Sequence, residues 1–394
     1  MKKKVIISFF LLLMFFSSFR ANLFSIFEEE EYIAQLRADY SSGDYSRWEK
    51  PFIDSIVTID FEDIGILPPM KFPADNPFSQ AKRELGKILF FDPRLSSSKQ
   101  IACASCHDSE LGWADGRTVS FGHDRKTGTR NSMSIINIGY HKTFFWDGRV
   151  NSLEEQMLFP LKDTLEMHSS ETIALENIRP IKEYAPLFEK AFGDSDITIE
   201  RIQKAIATFQ RTINSGKSKF DRFISGESNK FTDEEVIGLH LFRTKARCIN
   251  CHNTPLFSDQ KFHNVGLTYY GRKLQDLGRY NITQEKENIG QFKTPSLREV
   301  GRTAPYMHNG LMPHLSGIIQ MYNVGMPRPK PTEKQKNDPL FPKTDTLLQE
   351  LHLSKEEMKA LEAFLLTLSS PVYRERHPIY PIDFNPSGSV PSIP

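Results

Sequence analysis

Apolar positions along the chain recur mostly at helical spacing. Ile199, Ile202, Ile206, Phe209 and Ile213 form one stripe behind Thr198, an N-cap residue, which predicts a helix over 199–213. Ser79 likewise caps a helix running toward Phe90, and Asp92-Pro93 ends it because the residue before proline avoids helical dihedrals. Two capping boxes, Thr232-Asp-Glu-Glu235 and Ser354-Lys-Glu-Glu357, open further helices, the second reaching Leu368. Strands would need apolar and polar residues to alternate, and no such run of any length occurs, so the fold class is mainly α with little β structure. From Ser96 to Asn131 the chain is rich in Gly, Ser and Asp, which predicts long loops. A Pro-rich connector begins at Leu67-Pro-Pro, and 215–228 reads as a domain seam. Residues 371–394, with six prolines, read as an extended tail.

The ends of the chain have their own patterns. Lys2, Lys3 and Lys4 precede an apolar run from Val5 to Phe16 and then Ser17-Ser18, the layout of a signal peptide over 1–22. The run is short for a span of ~20 residues. No cysteine nearby could carry a lipid, so no stable membrane anchor is expected after cleavage. Residues 23–66 form an acidic extension, in which Glu28 to Glu31 opens one amphipathic helix; it is expected to pack on the surface. The chain has 50 basic and 49 acidic residues, a net charge of +1, and loss of Lys2, Lys3, Lys4 and Arg20 with the signal leaves −3. Nothing here is basic enough for nucleic acid.

All four cysteines fall in two copies of one pattern, Cys103-Ala-Ser-Cys106-His107 and Cys248-Ile-Asn-Cys251-His252. C-x-x-C-H attaches c-type haem: two thioethers hold the porphyrin edge and the following His ligates iron. With 4 Cys and 11 His in 394 residues, one such pentapeptide would arise by chance in only about one chain in a thousand. A thioredoxin-like pair or a zinc site would not need the trailing His twice. Two haems imply two cytochrome c-like domains, placed at 67–215 and 216–370. Covalent haem attachment takes place outside the cytoplasmic membrane, so motif and signal together imply a periplasmic protein.

Further motifs extend the match: Leu85-Gly-Lys-Ile-Leu-Phe-Phe-Asp-Pro-Arg-Leu95, Arg130-Asn-Ser132, Phe145-Trp-Asp-Gly-Arg149, Lys293-Thr-Pro-Ser-Leu297 and Ala304-Pro-Tyr-Met-His-Asn-Gly310. With these, 73–371 resembles the bacterial dihaem cytochrome c peroxidases and their relative MauG. The resemblance implies that the first haem, on His107, is the peroxide site and the second, on His252, the electron-transfer site, with Trp146 between them. It implies Glu166 as acid/base, Gln156 as the group orienting peroxide or water, and His123 as a removable distal ligand on a Gly-rich loop. Peroxidases carry Met as the second haem's distal ligand, fourteen residues beyond the position of His308. Here that count reaches Tyr322, as in MauG, with Met321 adjacent. Calcium between the domains would be held by the Asn131 side chain and the Thr303 and Pro305 carbonyls, an all-oxygen set. His263 and His308 match positions near the second haem, while His141 and His168 read as ordinary polar residues.

The leading expectation is a peroxidase that reduces hydrogen peroxide with electrons from a small donor such as a cytochrome c or a cupredoxin. A homodimer is usual among such proteins. One alternative is a MauG-like enzyme that oxidises aromatic residues of a partner protein through a high-valent iron state. The other is a dihaem electron carrier without catalysis, which would not need Trp146, Gln156 and Glu166 together.

Overall fold

A computed structural model describes residues 28–381 apart from 29, 372 and 373. The signal peptide expected over 1–22 and most of the expected tail lie outside the described residues. Helices dominate, and the one sheet among the described residues pairs Phe262–His263 antiparallel with Phe292–Lys293.

Each half of the molecule is built on one pair of crossing helices. In the first half Gln80–Phe91 crosses Ile199–Gln210, with Ser79 and Thr198 as side-chain N-caps. In the second, Asp233–Arg243 crosses Lys355–Leu366, and both helices start in capping boxes. Both crossings use the same device. A Cβ on Gly86 would run into the Ala205 carbonyl, and one on Gly238 into the Ala360 carbonyl, so glycine lets the two backbones touch. Around the first crossing Leu85, Phe90, Trp113 and Phe209 are buried together; around the second, Phe220, Phe242, Phe257 and Phe364. The core changes over between Ile213 and Phe220. The stretch from Ser96 to Asn131 contains only 3-10 turns and loops.

The acidic extension does more than lie on the surface. A helix over 30–40 and the segment after it place Leu36, Tyr40, Trp48 and Ile64 in the core of the second half. Arg243, 1 % exposed, bonds the Asp63 carboxylate and the Glu49 carbonyl and lies 4.9 Å from the centre of the Trp48 ring. Each such aromatic burial contributes ~1.5–3 kcal/mol. The opposite end of the chain crosses the other way, to the first half. Glu375 pairs with Arg83 (3.0 Å) and Lys87 (2.6 Å), and the Tyr380 hydroxyl donates to the Phe91 carbonyl.

Candidate active site

Both Cys-x-x-Cys-His pentapeptides fold into the same tight turn. Cys103–Ser105 is one 3-10 turn, and the His107 amide donates back to the Cys103 carbonyl at 3.1 Å. Cys248–Asn250 repeats it, with the His252 amide 2.9 Å from the Cys248 carbonyl. This winding puts both thiols and the imidazole of each motif on one short arc. The His107 Nδ1 donates to the Trp113 carbonyl (3.1 Å) and the His252 Nδ1 to the Phe257 carbonyl (3.0 Å). Against a carbonyl Nδ1 must carry the proton, so each Nε2 is left as a lone-pair donor with its ring orientation fixed. Burial lowers the pKa of both rings and keeps them neutral, the state a metal ligand needs. Burial also pushes the thiols up, Cys103 and Cys248 to about 12 and Cys106 to about 11. A dithiol redox pair would need the reverse shift. The four cysteines form no disulfide. The residues thus fit two covalently held haems.

Beside the first turn stands Glu166. Burial, helped by Asp163, raises its carboxyl to about 7, and it is close enough to push up the pKa of Cys103 and Cys106. The loop carrying His123 is fastened to the same segment. The His123 amide donates to the Glu166 carbonyl at 2.8 Å, and Gly122 sits so tightly on Leu165 and Glu166 that no side chain would fit. The His123 ring stacks on His168 at 4.5 Å, and its Nδ1 is buried with no hydrogen-bond partner among the described residues. Gln156 ends the short helix Leu153–Gln156, half-buried, and makes no side-chain hydrogen bond to Glu166.

The second turn opens on a large cavity, lined by His252, Tyr322, Leu315, Ile319 and Leu361 among others. The Tyr322 phenol is buried, which raises its pKa, with Cys251 and Cys248 nearby. Met321, on the same helix Leu315–Asn323, is not among the residues that line the cavity. His263 bonds Asp259 (2.9 Å) and Asp345 (2.6 Å); burial alone would lower its pKa, and the two carboxylates raise it to about 12.

Trp146 is bonded across the seam between the two halves. Its indole Nε1 donates to the Asn131 carbonyl (2.9 Å) and its own carbonyl accepts from the Lys293 amide (2.8 Å), so it bonds both halves. Its ring meets His308 edge-on at 6.4 Å, and His308 stacks on Phe292 at 3.6 Å. Arg130 clamps the seam by bonding Asp147 (2.6 Å) and Asp276 (2.7 Å). Asn131, Thr303 and Pro305 line the same cavity. The Asn131 Nδ2 donates to the Arg117 carbonyl, which leaves Oδ1 for another partner. Among the described residues no backbone amide donates to the Thr303 or Pro305 carbonyl.

Motif reading assigned no role to Lys293 or His141. Lys293, 2 % exposed, holds His141 at 2.7 Å, and burial lowers the lysine to about 7. His141 thus sits against the buried Lys293 amine and His168 against the His123 ring. The signal that could have found Lys293 is its place in the Lys-Thr-Pro-Ser-Leu motif.

Comparison with known proteins agrees with this geometry. The family described as Di-haem cytochrome c peroxidase matches residues 80–229. The chain is 35% identical over 351 residues to cytochrome-c peroxidase IdrP1 of Pseudomonas sp. (strain SCT), covering 81% of this chain and 89% of that one. The chain belongs to the dihaem cytochrome c peroxidase family. It is also 36% identical to methylamine utilization protein MauG of Methylorubrum extorquens, over 76% of this chain and 81% of that one. A solved MauG-like protein associated with microbial copper homeostasis superposes with a TM-score of 0.70 at 33% identity, covering 77% of this chain and 93% of the other. Membership of the dihaem family implies two c-type haems, one for each turn.

Proposed function

We propose that the protein is a dihaem cytochrome c peroxidase that reduces hydrogen peroxide to water with electrons from a small periplasmic redox protein. The observation that carries this reading is Glu166, a buried carboxyl set beside the first haem-binding turn and able to hold a proton near neutral pH. An electron carrier has no use for such a group, whereas peroxide cleavage needs one proton removed from the inner oxygen and one delivered to the outer. A haem held by Cys103, Cys106 and His107 would supply the open coordination position and the redox chemistry for cleaving the O–O bond. Glu166 accepts the first proton and returns it to the departing oxygen, which leaves as water. Gln156 orients the peroxide, and His123 would be a removable ligand of that haem. Cys248, Cys251 and His252 would hold the second haem, which would take up electrons from the donor, and Trp146 would carry them toward the first. Asn131, Thr303 and Pro305 would hold a calcium ion. Export by the signal peptide places the enzyme in the periplasm, where it works as a homodimer.

Tyr322 favours a second reading. Its phenol lines the second cavity while Met321 does not, so Tyr322 would be the distal ligand of a haem held there. An anionic ligand lowers the reduction potential and stabilises oxidised iron, which suits a MauG-like enzyme acting on aromatic side chains of a partner protein. Steady-state peroxide turnover with reduced cytochrome c or cupredoxin separates the readings. Rapid turnover supports the peroxidase; turnover too slow to sustain, with peroxide still oxidising both centres, supports the second; no reaction with peroxide sinks both.

A further inference from the structure

The surface over the second haem-binding turn is made by the chain's own N-terminal extension. Inside the Cys-Ile-Asn-Cys turn, Asn250 accepts from the Asp54 amide at 2.7 Å and donates to the Phe52 carbonyl at 3.0 Å. Arg247, the residue before Cys248, pairs with Asp54 (3.0 Å) and lies over the Phe52 ring (4.7 Å). On the other side of the turn the Thr254 amide donates to the Glu62 carbonyl at 2.8 Å. The segment 52–62 is thus bonded to the turn and its flanks through Phe52, Asp54 and Glu62.

Beside the polar residues Ser55, Thr58, Asp60 and Glu62, this segment shows three large apolar side chains to solvent. Phe52 is 49 % exposed, Ile56 63 % and Ile59 91 %, all within eight residues. A single exposed isoleucine is ordinary, whereas three large apolar side chains on one short turn mark an interaction surface. The charges around them are already matched. Asp54 pairs with Arg247 and Asp60 with Lys261, while Lys50 and Glu62 have opposite signs. Such a face offers no net charge to steer a strongly charged partner.

Building on the peroxidase reading, we infer that Phe52, Ile56 and Ile59 form the docking surface for the electron donor. The donor is a small redox protein that meets them with an apolar face around its own cofactor. In each encounter one electron leaves the donor and enters the second haem, and the donor departs oxidised by one equivalent. Two encounters supply the two electrons that one peroxide consumes with two protons. The extension therefore serves as part of the electron entry point as well as part of the core.

The test uses the full-length holoprotein in the absence of peroxide, so it does not depend on peroxidase activity. Stopped-flow absorbance follows reduction of the second haem by a reduced cupredoxin with an apolar face at its copper. The combined substitution Ile56→Glu and Ile59→Glu should slow this at least ~tenfold. Reduction by dithionite should be unchanged, as should donor-driven reduction of Ile379→Glu, a control at a position 89 % exposed on the tail. Raising salt from ~20 to ~200 mM should change the wild-type rate by less than about twofold. Equal rates for wild type and the double variant would overturn the proposal. So would loss of dimerisation in the double variant with donor rates intact, which would assign the face to a second copy. Absence of peroxide turnover with donor reduction intact would sink the peroxidase reading and leave the docking surface standing.

Discussion

At the scale of single residues, Glu166 and Tyr322 make the sharpest demands. Glu166 has a carboxyl raised from the ordinary 4.5 to about 7, so below that pH it is mostly protonated and cannot take the first proton from peroxide. The rate constant kcat/KM for peroxide should fall as pH drops through about 7. Glu166→Gln should lower it at least ~100-fold and remove that limb, as steady-state assays across pH would show. The sign for stability is opposite. Because the folded pKa is raised, the contribution is full below about 4.5 and is lost as pH rises through about 7, when a buried carboxylate must ionise. The glutamine variant should lose this slope in chemical denaturation. For Tyr322, substitution by Met should raise the potential of the second haem, on the order of 100 mV, because a thioether stabilises the reduced iron that a phenolate opposes. Potentiometric titration of that haem checks it, and an unchanged potential would show that Tyr322 is no ligand. The Cys-x-x-Cys-His turns could be read from sequence because covalent attachment dictates their spacing. His141 with Lys293, and Arg130 with Asp276, could not, since their partners lie 152 and 146 positions away and local spacing carries no trace of them.

Among the elements, the glycine crossings carry a prediction that runs against helix propensity. In an exposed helix Gly→Ala gains ~1 kcal/mol. At Gly86 and Gly238 the added methyl would meet the carbonyl of the facing helix, backbone that cannot turn aside. Gly86→Ala should therefore destabilise the first half by ~1–3 kcal/mol through overpacking, and Gly238→Ala the second. Thermal melts read at each haem's own absorption would show which half loosens, and a rise in Tm would refute the crossing. The helices themselves were legible, because Ser79, Thr198, Thr232 and Ser354 are caps with a local mechanism. The extension was read only as far as its helix. Leu36, Tyr40 and Trp48 look like scattered apolar residues until Arg243 and Phe223, about 200 positions on, close over them.

Across the whole molecule, electron transfer requires the two halves to stay in a fixed relation, and Trp146 is bonded to both sides of the seam. Its indole N–H holds Asn131, its carbonyl holds Lys293, and its ring faces the His308–Phe292 stack. The chain reinforces this by crossing over at its ends, with the extension built into the second half and Glu375 into the first. Trp146→Phe separates the structural role from the electronic one. The phenyl ring keeps the edge-on contact with His308 and both backbone bonds, and loses one hydrogen bond worth ~1 kcal/mol. The fold should survive with a small fall in Tm. Passage of an electron from the second haem to the first should slow about tenfold or more, equivalent to ~1.4 kcal/mol of barrier. Flash reduction of the second haem, followed by absorbance changes at the first, measures this. Equal rates in wild type and variant would mean that the electron travels by the propionate edges or the peptide backbone, and would leave Trp146 as a structural tie between the halves.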